Sequence, residues 1–299
     1  MTIAAADQTV TAARAGVERA RVLNEVIGTL AKNQLRPGAD ASRSEAELAL
    51  AENLLIQAEQ SRDGARAALA QLLGFAPNTI SIQPGTLLKE PPASPLPPPN
   101  VANHPFAVVG RAAVREFQAR EKALKRSYYP RFYLQGAVYA RGTGVRPDGS
   151  TGGVTSGLGP NIQNWALGAE ISFPVFDYFS IQAKKEAEVH NERSATARYE
   201  QTLQDVTGQI EKAQAVLEGA RRISQNTPVQ LTAARATEVQ ATARYRTGLG
   251  NIAEVAEAQR LLTQAEIDDS LAKLGVWGAL LGVAAAEGDL APFFSTVPK

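Results

Sequence analysis

The sequence predicts a mainly α fold, with long antiparallel coiled-coil helices interrupted once by a two-stranded antiparallel β-hairpin. Three observations carry this expectation. Apolar residues recur in alternating three- and four-residue steps over long stretches, the spacing of a helix seam. Two segments, 129–141 and 164–175, alternate apolar and polar residues with period two instead. Aromatic residues make up only 6%, while Ala, Gln, Glu and Arg recur throughout, a balance suited to helices that meet through small residues.

The elements follow in order. Residues 5–32 are an Ala/Val/Arg-rich helical stretch that stops where Pro37 and Gly38 break the pattern. Ser42-Arg-Ser-Glu45 has the spacing of a capping box, so a second helix is expected to restart there. Leu48, Ala51, Leu55, Ala58, Ala65, Leu69 and Leu72 then keep the heptad stepping, with Arg62 filling one slot. Residues 1–74 therefore read as a helical hairpin closed by Gly74. Residues 75–104 follow as a proline-rich connector containing Pro91-Pro92 and Pro97-Pro98-Pro99, where fixed backbone and missing donors disfavour a core element.

A helix is expected from Pro105 to Ser127, with proline at its first position. Next comes the hairpin region, 129–175. Phe132, Leu134, Val138 and Ala140 alternate with Arg131, Tyr133, Gln135 and Arg141. Trp165, Leu167, Ala169, Ile171 and Phe173 alternate with Asn164, Gly168, Glu170 and Ser172. Each strand is close to the roughly 9–11 residues that a tilted membrane strand needs, and a half-buried soluble hairpin would alternate in the same way. After Pro174 the helical period returns for 178–246, with Tyr199, Leu203, Val206, Ile210, Ala213, Leu217 and Ala220 in unbroken heptads. At 1.5 Å per residue such a helix is about 100 Å long, and Pro228 is expected to bend or break it. The chain turns at Thr247-Gly-Leu-Gly250. A last helix covers 251–287, behind Asn251-Ile-Ala-Glu254 with capping spacing, and 288–299 form a tail.

Several classes of function find no support. With 31 Lys+Arg against 30 Asp+Glu there is no basic field for nucleic acid. No cysteine is present, so disulfide and thiolate chemistry drop out. The opening MTIAAADQTV has neither a basic nor an apolar leader region. The apolar run Leu274–Ala286 is short of the roughly 20 residues of a spanning helix and reads as a buried helix end. His104 and His190 have no second ligand at metal spacing and read as surface residues. No phosphate-binding glycine loop occurs, and the many carboxylates lie in charge-balanced helices. The expectation is a protein without cofactor or metal, and not an enzyme.

Two segments also resemble each other. Glu45-Ala-Glu47 followed by Leu72-Leu-Gly-Phe-Ala76 is echoed by Glu257-Ala-Gln259 followed by Leu280-Leu-Gly-Val-Ala284, at offsets of 212 and 208. A duplicated unit would read helix, two strands, long helix, turn, return helix. The second copy, 105–287, is complete, whereas the first begins at its long helix.

With these residues in place the chain resembles the TolC-like outer-membrane efflux protein (outer membrane factor) family. The resemblance rests on Tyr129-Pro130, the glycine-rich loop, Trp165-Ala-Leu-Gly168, Phe173-Pro-Val-Phe-Asp177 and Arg244-Tyr-Arg-Thr-Gly-Leu-Gly250. Leu35-Arg-Pro-Gly-Ala-Asp40 and Leu72-Leu-Gly74 are similar to the family's first repeat. It implies a homotrimer whose helices form an α-barrel tunnel across the periplasm and whose strands close a transmembrane β-barrel in the outer membrane. It also implies a passive conduit for substrates handed over by an inner-membrane efflux transporter and a periplasmic adaptor protein. Four strands per subunit are needed and two are present, so the sequence is expected to be a truncated product, a misplaced start or a fragment.

The resemblance further implies roles for particular residues. Glu254 and Glu257 fall where acidic residues line the pore entrance, and Tyr245 where inter-helix contacts close the tunnel. Read alone, Glu254 is equally a helix cap and Glu257 a solvated heptad position. Gly250 stands where some members carry a gating arginine. Adaptor contact falls on two turns, Leu35, Arg36, Pro37 and Gly38 in one and Thr247, Gly248, Leu249 and Gly250 in the other. Outer-membrane lipid meets Phe132, Leu134, Val138, Trp165, Leu167, Ile171 and Phe173. A soluble periplasmic coiled-coil scaffold, an adaptor-like protein or a non-functional fragment is the alternative.

Overall fold

The computed structural model describes residues 1–76, 79–83, 85–91, 100–145, 148–160 and 162–297. The order is α1 (Thr2–Lys32), α2 (Gly38–Leu73), α3 (Pro105–Arg126), β1 (Arg131–Arg141), β2 (Ile162–Ser172), α4 (Tyr178–Arg246), α5 (Ile252–Glu287) and α6 (Ala291–Thr296). Contacts divide the chain into two compact units, residues 1–104 with 205–299, and residues 105–204.

In the first unit α1 packs lengthwise on α2 and, through another face, on α5. Small residues set this geometry. Val10, Ala13 and Ala58 fill the α1–α2 seam. A Cβ on Gly16 would lie 2.9 Å from Thr263 Oγ1, so α1 and α5 approach as closely as glycine permits. Beside that crossing Arg19 forks onto Glu266, Nη1 to Oε1 at 3.3 Å and Nη2 to Oε2 at 2.9 Å. The part of α4 after Gln204 lies on α5 through Leu217, Val276 and Val283, and again through Ala234, Leu262 and Ala265.

The predicted heptads of α4 do not stop at Ala220. They continue through Ser224, Thr227, Leu231, Ala234, Glu238 and Ala241 to Tyr245, with Ser224 and Thr227 buried as seam residues. Pro228 neither ends nor interrupts the helix. Its missing N–H leaves the Ser224 carbonyl without the usual partner. The Thr227 hydroxyl lies 3.5 Å from that carbonyl and 3.2 Å from Asp269 Oδ1 on α5, and Lys273 Nζ sits 2.8 Å from Asp269 Oδ2. A proline that could have broken the helix is thus carried by a polar cluster between α4 and α5.

Other expectations are corrected. α2 begins at Gly38, so Ser42 and Glu45 are interior to it, and Ser44 is buried against Asn24 instead. The stretch 75–104 is not wholly outside the core. A 3₁₀ turn at Gly85–Leu88 packs on α5, and Trp277 Nε1 donates to the Lys89 carbonyl at 2.8 Å. Residues 92–99, with Pro92 and Pro97-Pro98-Pro99, lie outside the described residues. Within 288–299, Ala291–Thr296 form α6, whose Phe293 is buried edge-on against Trp277. His104 is buried, not at the surface, whereas His190 is exposed. By length and composition α5 is apolar enough to cross a membrane. Val255, Leu262, Val276, Trp277 and Val283 are nevertheless buried along it, so it is a core helix.

In the second unit α3 lies against the first part of α4, where a Cβ on Gly110 would come within 3.0 Å of Tyr199. Gln118 donates to Glu192, and Tyr128 stacks at a tilt on Tyr178. β1 and β2 form a two-stranded antiparallel sheet, with Arg131 opposite Ser172, Val138 opposite Trp165 and Arg141 opposite Ile162.

Candidate functional site: the helical turns and the hairpin face

At one end of the first unit two turns meet. The α1–α2 turn is tight, with Gln34 in the left-handed region (φ 59°) and Leu35 N donating back to the Leu30 carbonyl. The α4–α5 turn places Gly248 at φ 77°, while Leu249 and Gly250 both donate to the Arg244 carbonyl. Asn251 then caps α5, accepting from Glu254 N at 2.9 Å and donating to Glu254 Oε1 at 3.1 Å. Beneath the turns Ile27, Tyr245, Ile252 and Val255 make one buried cluster.

Three side chains tie the turns together. Arg36 Nη2 donates to the Tyr245 carbonyl at 2.7 Å, and its guanidinium carbon lies 4.5 Å from the centre of the Tyr245 ring. That carbonyl is at the C-terminus of α4, where a cation is favoured by the helix dipole. The Tyr245 hydroxyl donates to Asp40 Oδ2 at 3.3 Å. Burial pushes the Tyr245 phenol up, and the Asp40 carboxylate adds to this against the opposing Arg36 cation. The phenol therefore stays a donor at neutral pH. A Cβ on Gly250 would lie 3.1 Å from Glu254 Oε2 and 3.2 Å from Arg244 Cβ, so this position is filled by packing and offers no room for an arginine without adjustment.

The predicted entrance residues differ in setting. Tyr245 is buried. Glu254 is partly exposed, with Arg244 Nε 3.8 Å away. Glu257 is exposed and bonded to Arg260 Nη2, which also places Nη1 3.4 Å from Glu47. Of the turn residues, Leu35 and Leu249 project strongly, at 69% and 74% exposure. Pro37, Gly38, Thr247 and Gly248 are exposed as well, whereas Arg36 and Gly250 are half-buried. Between α1 and α4 runs a groove of about 440 Å³ lined by Val22, Val26, Leu30, Glu18, Glu238 and Arg246. Sequence reasoning missed Asp40 as the partner of Tyr245, since a single aspartate after a Pro-Gly turn carries no distinguishing signal.

In the second unit the register places Phe132 opposite Ile171, Leu134 opposite Ala169 and Val138 opposite Trp165. Directly opposed residues share a face. That face is uncovered, with Val138 88%, Leu134 78% and Trp165 78% exposed, and Phe132, Leu167, Ile171 and Phe173 are exposed beside them. The other face carries Tyr133, Gln135 and Tyr139, with Gln135 donating to Glu170 across the pair. Among the described residues of this chain none covers that face.

An outer membrane efflux protein family model matches residues 101–288, more than half of the chain. The chain belongs to that family. Among solved structures it is similar to the outer-membrane channel OprN, at 19% identity and a TM-score of 0.74, covering 96% of this chain and 63% of that one. It is similar to the outer membrane protein VceC from Vibrio cholerae, at 18% identity and a TM-score of 0.75, covering 96% and 67%. It is also similar to CusC, whose structures are described in terms of folding and transmembrane channel formation, at 15% identity and a TM-score of 0.78, covering 96% and 66%. The chain thus spans about two thirds of the length of these structures, and at such identities the likeness is one of fold. No curated protein matches it in sequence. The outer membrane efflux protein fold accounts for both halves of the observed architecture, coiled-coil helices and a short antiparallel strand pair.

Proposed function

We propose that this chain acts in the outer membrane as part of a channel of an efflux or export system, with its helices extending into the periplasm. It would conduct passively, without catalysis, what an inner-membrane transporter and a periplasmic adaptor deliver. The observation that carries the reading is the apolar face of the β1–β2 hairpin, exposed along its whole length. In water such a face is unfavourable, at roughly 25 cal/mol per Å² of apolar surface, and in a bilayer it is satisfied. Strand edges need partners in lipid, so the hairpin calls for further strands from other copies of the chain or other segments.

The helices support a homotrimer in the same way. α2 leaves Leu50 and Ile56 exposed, and α4 leaves Val216, Ile223, Val229 and Val239 exposed, surfaces that a second copy would cover. Leu35 and Leu249 at the turn tips suit an adaptor contact, while Arg36, engaged on Tyr245, serves to hold the turns. Because Gly250 takes the place of a gating arginine, we assign the cation of the closed turn to Arg36. Glu254 and Glu257 line the entrance in this reading, each beside an arginine of its own subunit. Planar-bilayer recording of the purified native protein tests the proposal. Discrete, long-lived conductance steps are expected, and silent bilayers at protein concentrations that open related channels would refute it.

A further inference from the structure

The strand–helix junction of the second unit carries a feature that channel function does not itself require. Where β1 begins and β2 ends, Phe173, Phe176 and Phe179 project into solvent, with Phe176 99% and Phe179 83% exposed. Tyr178 packs edge-on against Phe179 and at a tilt on Tyr128, so these three rings form one group, with Phe173 and Phe176 close to them in sequence. The same junction is basic. Lys122, Lys125 and Arg126 lie in the last turns of α3, Arg131 opens β1 opposite Ser172, and Lys184 follows in the second turn of α4. All five are exposed, and none forms an ion pair with a described residue. The two helix ends are held side by side, since Tyr128 hydroxyl donates to Gln182 at 3.3 Å. The carboxylates nearest in sequence are Glu121, Glu170, Asp177 and Glu186, of which Glu170 accepts from Gln135 and Glu186 from Gln182, while Lys185 adds a further cation. In a chain whose whole formal charge is +1, this is a local excess of cations.

We infer that this junction is a binding belt for the phosphate headgroups of anionic glycerophospholipids, and that it sets how deeply the hairpin enters the membrane. The inference rests on the membrane reading proposed above. Exposed aromatic rings at the end of an apolar strand face sit at the boundary between hydrocarbon and headgroups. Lysine and arginine one turn further out then lie at the level of the phosphates, where each attracts anionic lipid over a distance set by ionic strength. Charge complementarity selects lipid here over a protein partner, because the cations flank an aromatic ring group and not a groove.

The test is flotation of the full chain with two kinds of vesicle, pure phosphatidylcholine and phosphatidylcholine with a third phosphatidylglycerol. Quenching of Trp165 fluorescence by brominated acyl chains is read in parallel. Wild type is expected to bind both, with the anionic vesicles bound at least about tenfold more tightly at low salt and the preference shrinking in high salt. The variant K122Q/K125Q/R126Q/K184Q should lose that preference and keep its Trp165 quenching on neutral vesicles. A control variant, R43Q/R221Q/R222Q/R235Q, removes the same charge elsewhere and should keep the preference. Equal binding of wild type to both vesicles would overturn the belt while leaving the membrane reading in place. An unchanged preference in the belt variant, or loss of it in the control, would overturn the belt as well. Absence of Trp165 quenching on every vesicle would remove the membrane reading, and the belt with it.

Discussion

Tyr245 of α4 and Asp40 of α2 meet at 3.3 Å, joining the helices that flank the two turns of the first unit. Arg36 completes the link from the other side of the ring, by a hydrogen bond to the Tyr245 carbonyl and by stacking on its face. The tyrosine is thus held both as a donor and as a hydrophobic plug beside Ile27 and Val255.

If this link holds the turns closed, Tyr245→Phe and Asp40→Ala should each raise single-channel conductance several-fold. The double variant should add little, since both remove one hydrogen bond worth about 1 kcal/mol. Fully additive effects would mean that the two residues act separately. The phenol is pushed up by burial and by Asp40, so its neutral form is the one the fold favours. Its contribution is therefore complete below the ordinary tyrosine range, near pH 10, and fades as pH rises through the higher folded value. Conductance should accordingly rise in alkali for wild type and stay flat for Tyr245→Phe.

The arginines beside Glu254 and Glu257 make a second prediction. Each carboxylate has an arginine beside it within its own subunit, so removing the carboxylates leaves those arginines unpaired and should shift selectivity toward anions. Arg244→Gln with Arg260→Gln should shift it by a comparable amount toward cations, because the acids are then unpaired. Reversal potentials in a salt gradient measure both. Shifts in the same direction, or no shift from either set of variants, would show that these residues do not face the conduction path as paired charges.

Thr227 is expected to matter because of the proline that follows it. Thr227→Val removes the single hydroxyl proton shared between Asp269 Oδ1, at 3.2 Å, and the Ser224 carbonyl, at 3.5 Å, in a buried seam, at a cost of about 1–3 kcal/mol. Pro228→Ala restores a backbone N–H to Ser224 and should recover part of that loss. Urea unfolding of the two single variants and the double variant reads the coupling directly. No coupling would mean that the hydroxyl serves Asp269 alone.

Glu287, the last residue of α5, has a buried carboxylate oxygen without a hydrogen-bond partner among the described residues. Burial pushes its carboxyl up, and the like charge of Asp289 adds to the effect. The charged form is therefore a cost above the folded value, and the cost disappears as pH falls below the ordinary glutamate range. Glu287→Gln should raise the melting temperature at pH 7 by a few degrees and leave it unchanged near pH 4. A gain of equal size at both pH values would point to packing and not to charge.

Much of this architecture was legible because period is a direct consequence of backbone geometry. Alternation of Phe132, Leu134 and Val138 could only mean a strand, and the stepping from Tyr199 to Ala220 only a helix. The reading failed where polar residues take apolar places. Ser224 and Thr227 look like solvent positions and are buried in the seam, where Thr227 meets Asp269 of α5, itself bonded to Lys273. Ser42 and Glu45 have cap spacing yet lie inside α2, since Pro37, with extended backbone, already starts the helix. Trp277 gave no hint that the connector returns to it, because its partner is a backbone carbonyl, that of Lys89, which any residue could supply. At the turns the glycine and arginine pattern was visible, while the contact from Tyr245 to Asp40 was not, because it joins positions 205 residues apart.

The central claim is that the exposed face of the β1–β2 hairpin meets lipid. Carbonate extraction of isolated outer membranes tests it most directly, with the native protein followed by immunoblot and Val138→Asp with Leu167→Asp as the comparison. The account predicts that wild type stays in the membrane pellet and that the double aspartate variant is released or fails to accumulate there. Release of the wild-type protein by carbonate or salt alone would contradict it.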